Sequence, residues 1–417
     1  STASVAVAVT GPTLGGTSSV AAVSGVSTFA GLSLTGTVGT YTLTYTSTGL
    51  TQTSQSIDLA PGTATKLAIK TQAAGFVNRT NFTTQPEIYI QDASGNTVTS
   101  STASVLVSID TGTLTGTRTV AAVNGVVTFA GLGKTGTIGS KTLDFTSTGL
   151  THITQTFTLT HGAATQLVIS TQASGAQAGI VFGTQPVLQI RDADNNVVTT
   201  GAESTLTARA SSTNGTLTGT FDKQAIAGVI TFTNLMLSNT TGSYNLSFGL
   251  IDTGYTSFTT SQSLSLAAGT AVKLGMVAQP STGGASGSAF ATQPSVEVLD
   301  AFNNRVLTDT GRTITASYAG ANGGTLSGSP NLTATTSSGL ATFSGLKFVG
   351  TPGTNYSLHF AVASDTLTAT DSTTFTVTFA AASQIVIIQQ PIGGNAVRSP
   401  LTVQPVVEIQ DQYGNPI

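Results

Sequence analysis

The segment QPEIYIQDASGN, residues 85–96, has three variants further along the chain: QPVLQIRDADNN from residue 185, QPSVEVLDAFNN from residue 293 and QPVVEIQDQYGN from residue 404. In each variant apolar and polar side chains alternate, which is the period of a β-strand with one buried face. An Asp and an Asn follow, and these residue types favour tight turns. The sequence therefore predicts one strand-and-turn unit, repeated four times.

A second group of motifs keeps a similar spacing: GVSTFAGL with Phe29, GVVTFAGL with Phe129, GVITFTNL with Phe232 and GLATFSGL with Phe343. The intervals are 100, 103 and 111 residues (129 − 29, 232 − 129 and 343 − 232). A period of about 100 residues with many short strands is the size of one immunoglobulin-like sandwich. No segment has the periodicity of an amphipathic helix. We therefore predict an all-β chain of tandem immunoglobulin-like β-sandwich domains in a linear array.

Short links between the repeats set the predicted domain boundaries. Three complete immunoglobulin-like domains are expected, at residues 64–160, 164–267 and 270–380. Residues 1–5 match residues 101–105, in the middle of a repeat. Residues 1–60 are therefore predicted to be a partial domain that lacks its first two strands. Residues 383–417 correspond to the first two strands of a further domain.

The last segment thus resembles the part that the first segment lacks, and two explanations are open. In one, residues 383–417 of a molecule complete residues 1–60 of the next by β-strand addition, which propagates as a filament. In the other, the chain is a window of a longer tandem protein whose half-domains are completed by covalent neighbours. The first explanation assigns polymerisation to apolar residues of the last two strands: Ile385, Ile387, Val406 and Ile409.

The composition excludes several classes of function. Only 7% of the 417 residues are charged, against about 25% in ordinary soluble domains. The 14 Lys and Arg residues are scattered, so no basic stripe is available for nucleic acid. No apolar run approaches the roughly 18 residues of a membrane-spanning helix, so no membrane insertion is expected in this segment. The absence of Cys excludes disulfides and thiol chemistry.

The acidic turns are the best candidates for ligand chemistry. Calcium prefers about six to eight oxygen ligands. Only the turn DADNN is dense in such ligands, and its calcium candidates are Asp192, Asp194 and Asn196. The favoured explanation is structural, because Asp and Asn side chains stabilise turns. No other metal or cofactor is expected.

No residue set points to catalysis, and we predict that the protein is not an enzyme. The three histidines, His152, His161 and His359, share no repeat position, whereas a zinc site needs convergent ligands. The Ser and Thr residues have no recurrent His or Asp partner, and no nucleophile elbow occurs. Seven sequons are candidates for N-glycosylation in an extracellular setting: Asn78, Asn81, Asn214, Asn239, Asn245, Asn331 and Asn355.

The motifs resemble the bacterial Ig-like repeat of invasin- and intimin-type surface proteins. The residues that carry the resemblance are GTYTLT at 39–44, DASGNTV at 92–98, GTL at 112–114 and GVVTF at 125–129. The resemblance implies an extracellular spacer, stalk or fibre, with ligand binding in a separate tip domain. The phase of the two chain ends is similar to that of strand-exchanged prokaryotic surface filaments.

From these observations we predict a structural subunit of an extracellular, cell-surface filament. Its partner would be a further copy of itself, joined head to tail, with a host surface or neighbouring cells as further partners. The alternative is a stalk segment of a long tandem-repeat adhesin whose binding domain lies elsewhere.

Overall fold

The computed structural model of the protein describes residues 2–328, 331–363, 365–393, 397–398 and 400–417. The chain divides into two compact units. The first unit consists of Ser1–Val168, Gln189–Leu206 and Ile226–Val229, and the second of Ile169–Leu188, Thr207–Ala225 and Ile230–Ile417. Apart from a 3-10 turn at Ala202–Thr205, the regular structure of the described residues consists of strands. In that part of the chain, no helix is long and apolar enough to cross a membrane.

Residues 1–60, in the first unit, form two antiparallel sheets. The strands are β1 (Ser4–Val9), β2 (Thr13–Gly15), β3 (Ser19–Ala21), β4 (Ser33–Thr35), β5 (Gly39–Thr46) and β6 (Thr53–Leu59). One sheet has the order β3-β1-β5-β6, and β2 pairs with β4 in the other. The described residues of this segment contain no further strand to cover the inner face of the larger sheet.

Residues 64–160, also in the first unit, form three sheets. The strands are β7 (Lys66–Thr71), β8 (Glu87–Gln91), β9 (Ser104–Ile109), β10 (Thr113–Thr115), β11 (Thr119–Ala121), β12 (Val126–Thr128), β13 (Gly133–Thr135), β14 (Gly139–Thr146) and β15 (Ile153–Leu159). A three-stranded sheet, β12-β8-β7, faces a four-stranded sheet, β11-β9-β14-β15, and β10 pairs with β13.

The two larger sheets of this repeat share one core, because each presents alternate apolar residues to the other. Ile88 and Ile90 of β8 are fully buried against Leu143 and Phe145 of β14 in that core. The ring of Phe129 lies 5.7 Å from that of Phe145. Two antiparallel sheets that enclose one apolar layer make a β-sandwich.

Residues 164–267 contain the same succession of strands. They are β16 (Gln166–Thr171), β17 (Val187–Arg191), β18 (Thr207–Thr213), β19 (Thr216–Thr218), β20 (Asp222–Gln224), β21 (Val229–Thr231), β22 (Met236–Ser238), β23 (Gly242–Leu250) and β24 (Thr259–Leu266). Within the second unit, β20-β18-β23-β24 form a four-stranded sheet and β19 pairs with β22.

Residues 270–380, in the second unit, form a further sandwich. Its strands are β25 (Lys273–Ala278), β26 (Gly284–Ala285), β27 (Ser295–Leu299), β28 (Thr313–Ser317), β29 (Thr325–Gly328), β30 (Thr333–Thr335), β31 (Leu340–Thr342), β32 (Leu346–Val349), β33 (His359–Ala361), β34 (Thr370–Asp371) and β35 (Val377–Thr378). The sheets β25-β27-β31 and β30-β28-β33-β34 pack through a core that includes Val296, Phe343 and Phe360. Strand β29 pairs with β32, and β26 pairs with β35 in parallel.

The last segment forms a two-stranded antiparallel sheet, β36 (Ala382–Gln389) with β37 (Val406–Asp411). Residues 394–396 and 399 of the predicted donor segment lie outside the described residues. The prediction of an all-β chain of tandem β-sandwiches is confirmed.

Candidate functional site

The acidic turns link consecutive repeats. In three of these turns a buried Asp accepts hydrogen bonds from its own turn and from the backbone N–H of a linker glycine. Asp92 accepts from the N–H of Asn96 and of Gly62, each at 2.9 Å. Asp192 makes the same bonds with Asn196 and Gly162, both at 2.9 Å, and Asp300 with Asn304 at 2.9 Å and Gly269 at 2.7 Å.

The Asn that closes each turn reaches into the preceding repeat. The side-chain amide of Asn96 donates to the carbonyl of Gly36 at 2.8 Å, and its oxygen accepts from the N–H of Val38 at 2.9 Å. The same pair of bonds joins Asn196 to Gly136 and Ile138, and Asn304 to Asn239 and Thr241. Each set of turn, linker and bridged residues is called a joint and is named by its aspartate.

Hydrogen bonding keeps the joint carboxylates ionised. The side-chain amide of Asn96 makes the largest contribution in lowering the pKa of Asp92 below its usual value. Burial alone would raise the pKa values of Asp192 and Asp300. Hydrogen bonds from the linker glycines and turn asparagines outweigh burial and lower both values, because they favour the charged form.

The calcium candidates of the sequence lie together in the Asp192 joint, but N–H donors face their carboxylates. Arg79 forms a bidentate ion pair with Asp194, with distances of 2.9 Å from Nε to Oδ2 and 2.8 Å from Nη2 to Oδ1. Asn78 Nδ2 donates to Asp192 and Asp194, each at 2.8 Å. Arg79, as the largest cause, lowers the pKa of Asp194 to about 2. A cation at this turn would have to displace Arg79 and Asn78.

No sequence pattern pointed to Arg79, and Asn78 was a candidate only as a sequon. The structure buries the Asn78 side chain in the joint, where its oxygen also accepts from the N–H of Gly136 at 3.0 Å. A glycan on this nitrogen is incompatible with the joint. Of the other sequons, Asn239 is half-buried and the rest are exposed: Asn81, Asn214, Asn245, Asn331 and Asn355.

In three of the acidic turns the third residue contacts the preceding repeat, in a way that differs from one turn to the next. In the Asp192 joint this residue is Asp194. In the Asp300 joint it is Phe302, whose ring lies so close to Gly179 that an added Cβ would be 2.6 Å from it. At Asp411 it is Tyr413, whose hydroxyl a Cβ on Gly287 would hit. Both glycines have positive φ, 73° and 79°, a conformation that other residues rarely adopt.

The Asp411 turn has only part of this arrangement. Asp411 is buried and accepts from the linker N–H of Ala380 at 3.1 Å and from its own turn at Asn415. In the described residues, the side-chain amide of Asn415 donates to Asp411 and bridges to no other repeat.

Residues 1–60 leave their inner face open. Phe29 is half-buried, whereas its counterparts Phe129, Phe232 and Phe343 are almost fully buried. An apolar groove of about 160 Å³ lies on this face and is lined by Leu14, Leu32, Leu34, Leu43, Ile57 and Leu59. Residues 26–28 lie outside any strand, whereas their counterparts 126–128 form β12.

The hairpin β36–β37 exposes an apolar face. Ile385 pairs with Ile409 and Ile387 with Val407, in the register that β7 and β8 use for Leu67 with Ile90 and Ile69 with Ile88. Ile385 is 69% exposed and Ile409 52%, whereas Leu67 is 4% and Ile90 0%.

The register also separates two adjacent valines of β37. A bulge places Val406 opposite Gln389, as Glu87 stands opposite Thr71. Val407, which the sequence did not single out, therefore occupies the position of buried Ile88.

The histidines lie apart from the joints' carboxylates. His152 contacts Asp144 at 2.7 Å, and His359 contacts Asp371 at 2.6 Å, both on the surface. His161 Nε2 lies 2.9 Å from Thr200 Oγ1. No cluster of three or more His, Cys, Asp or Glu placed to hold a metal occurs within the described ranges.

No protein-family model matches the sequence, and no curated protein matches it. The chain is similar to the solved structure of FdeC, an Escherichia coli adhesin, with 16% identity, coverage of 76% of this chain and 99% of that chain, and a TM-score of 0.38. For InvD of Yersinia pseudotuberculosis the identity is 17%, the coverage 72% and 86%, and the TM-score 0.34. For invasin, a bacterial integrin-binding protein, the identity is 13%, the coverage is 94% of this chain and 75% of that chain, and the TM-score is 0.33. Bacterial surface proteins with Ig-like domains are thus among the structures that this chain resembles.

Proposed function

We propose that the chain is a non-catalytic structural segment of an extracellular, cell-surface filament. Hydrogen-bonded joints connect its sandwiches, and residues 383–417 of one copy complete the half-sandwich of residues 1–60 in the next. The observation that carries the proposal is the exposed apolar face of β36–β37, which has the register of the buried pair β7–β8.

The donor face supplies what a complete repeat buries at the same positions. Leu67, Ile88 and Ile90 pack against Phe129, Leu132 and Phe145 in the core of residues 64–160. In the proposed contact, Ile385, Ile387, Val407 and Ile409 of one copy would cover Phe29, Leu32 and Tyr45 of another.

Burial of the donor face favours the contact. Full burial of one such exposed aliphatic side chain contributes about 1.5–3 kcal/mol. The four on the donor face are already about half buried, so covering the remainder would contribute about 3–7 kcal/mol, before the cost of association. Residues 27 and 28, which lie outside any strand, would gain a strand partner in the same step.

The contact joins two different surfaces, so a joined pair keeps one free acceptor and one free donor. Such a heterologous contact propagates as an open filament unless the rotation closes a ring. Copies of this chain are therefore the proposed partner, with host or neighbouring cells as the surroundings of the fibre.

The second candidate is a stalk segment of a long adhesin that carries its binding domain elsewhere. The Asn bridge favours it, because the same two bonds recur in the Asp92, Asp192 and Asp300 joints. Bonds of this kind restrict hinge motion between neighbouring repeats, which suits a spacer.

Adjacent valines of β37 provide the test. In the full chain, Val407→Glu puts a carboxylate on the donor face, whereas Val406→Glu restores the residue found at position 87. Sedimentation and negative-stain microscopy should show fibres for the unaltered chain and for V406E, and single particles for V407E. An unaltered chain that stays monomeric at all concentrations would reject the filament in favour of the stalk.

A further inference from the structure

The A–B turn, defined as residues 75–79 and their counterparts, fills a specific place in the Asp192 joint. Asn78 bonds to the backbone of Gly136 and to the carboxylate of Asp192. The Asn78 carbonyl lies 2.8 Å from the place of a Cβ on Gly162. Arg79 pairs with Asp194. This turn therefore occupies a space bounded by four residues of the joint: Gly136, Gly162, Asp192 and Asp194.

The same four positions line an open cavity in the Asp92 joint. The cavity has a volume of about 280 Å³, and Gly36, Gly62, Asp92 and Ser94 are among its lining residues. They are the counterparts of Gly136, Gly162, Asp192 and Asp194, each 100 positions earlier. Among the described residues, no A–B turn fills this cavity.

We propose that Arg398 of a second copy docks in this cavity, as Arg79 does in the Asp192 joint. The inference rests on the proposed strand exchange, which delivers the A–B turn of residues 383–417 to the joint. The contact between Arg398 and Ser94 determines which turn the Asp92 joint accepts.

The geometry of the donor turn supports the match. The described residues of each A–B turn include two of positive φ, four or five positions apart: Gly75 with Arg79, Gly175 with Gly179, Gly283 with Gly287, and Gly393 with Arg398. The isolated bridge from Ala74 to Thr84 has its counterpart from Ile392 to Val403. Arg398 is therefore at the position of Arg79, with φ of 71° against 62°.

Each joint then pairs its third turn residue with a matching A–B residue. Phe302 and Tyr413 face glycines, because their rings leave no room for a side chain. Asp194 faces an arginine. Ser94 is small and leaves the cavity open, so that the guanidinium of Arg398 would meet the Ser94 hydroxyl and the charge of Asp92. A large ring at position 94 would exclude Arg398.

The experiment uses fibre assembly of the full chain, measured as the critical concentration by sedimentation. Ser94→Asp recreates the pair of the Asp192 joint and should lower the critical concentration about threefold to fivefold, the range of a partly exposed ion pair. This decrease in critical concentration should disappear when Ser94→Asp is combined with Arg398→Ala. Ser94→Phe should weaken assembly. Arg398→Gly should restore assembly when it is combined with Ser94→Phe, and should not improve assembly of the chain that keeps Ser94.

The outcomes separate this inference from the proposed function. If the unaltered chain does not assemble, the strand exchange itself is rejected. If it assembles, and S94D acts equally with and without Arg398, the assignment of Arg398 to the cavity is rejected. Thermal unfolding of the variants below the critical concentration controls for altered folding.

Discussion

Two lysines lie at core positions of residues 64–160. Lys134 pairs with Leu114. In the other repeats the position of Lys134 in this strand pair is occupied by Leu34, Leu237 and Phe348. Lys141 stands at the position of tyrosines in those repeats. Lys134 is fully buried, and its ammonium donates to the carbonyl of Thr135 at 2.9 Å. Burial, and then the charge of Lys141, lowers the pKa of Lys134.

Lys134→Leu should therefore stabilise the protein, by about 1–3 kcal/mol, because it removes a buried charge that forms no ion pair with any carboxylate of the described residues. The folded state holds the Lys134 proton less tightly than the unfolded state does. The unaltered chain should therefore gain stability as the pH rises toward the ordinary pKa of Lys, whereas K134L should lack this gain. Urea unfolding at pH 7 and pH 9.5 measures both effects. Lys347→Leu, at an exposed position, is the control, and an equal response of the two variants would contradict the account.

The sequence contained part of this information. The motif GLGKTGT at residues 131–137 aligns with GLSLTGT at 31–37, so a charged residue at an apolar repeat position was visible. Its complete burial was not visible, because that depends on how β13 is covered by other strands of the repeat.

At the scale of elements, the joints combine strand ends that are far apart in the sequence. Alternation and turn residues predicted the strand and the acidic turn correctly, since both depend on neighbours in the chain. The bridge from Asn96 to Gly36 joins residues 60 positions apart, so no local pattern reveals it. The bulge at Ile388 of β36 is similar, because it becomes apparent only in the pairing with β37. Alternation within β37 itself places Val407, not Val406, on the same face as Ile409.

The joint carboxylates should make stability depend on acid. Their pKa values are lowered by folding, so their contribution is complete above the unfolded pKa of about 3.9 and is lost as the pH falls through the folded value. For Asp194 that value is about 2. We expect the urea midpoint to fall between roughly pH 4 and pH 2. Asp194→Asn should flatten this fall, and a slope unchanged by D194N would show that the joint does not contribute to it.

At the scale of the whole molecule, one repeat plan explains most of the chain. Three repeats contain both the first two strands, equivalent to β7 and β8, and the strands that follow them. Residues 1–60 contain only the following strands, and residues 383–417 contain only the first two. The periodic motifs predict such a plan, because core and turn residues recur with the fold. They could not predict which A–B residue each joint accepts, since Arg79, Gly179 and Gly287 belong to no shared motif.

In the proposed filament, β37 of one copy pairs with residues 26–28 of another. In residues 64–160, Tyr89 stands opposite Val126, and the counterparts of this pair are Glu408 and Val26. Opposed residues of antiparallel strands have Cα atoms about 4.5–5.5 Å apart, within the range that a disulfide bridges. The chain has no cysteine, so an engineered pair is free of background.

The measurement is mild oxidation of the full chain with Val26→Cys and Glu408→Cys, followed by denaturing electrophoresis without reductant. We predict a ladder of covalent multimers that collapses to one band on reduction. Val26→Cys with Ile409→Cys, a neighbouring position on the other face of β37, should give no ladder. If the first pair gives only monomers, or both pairs cross-link equally, the proposed strand exchange is wrong.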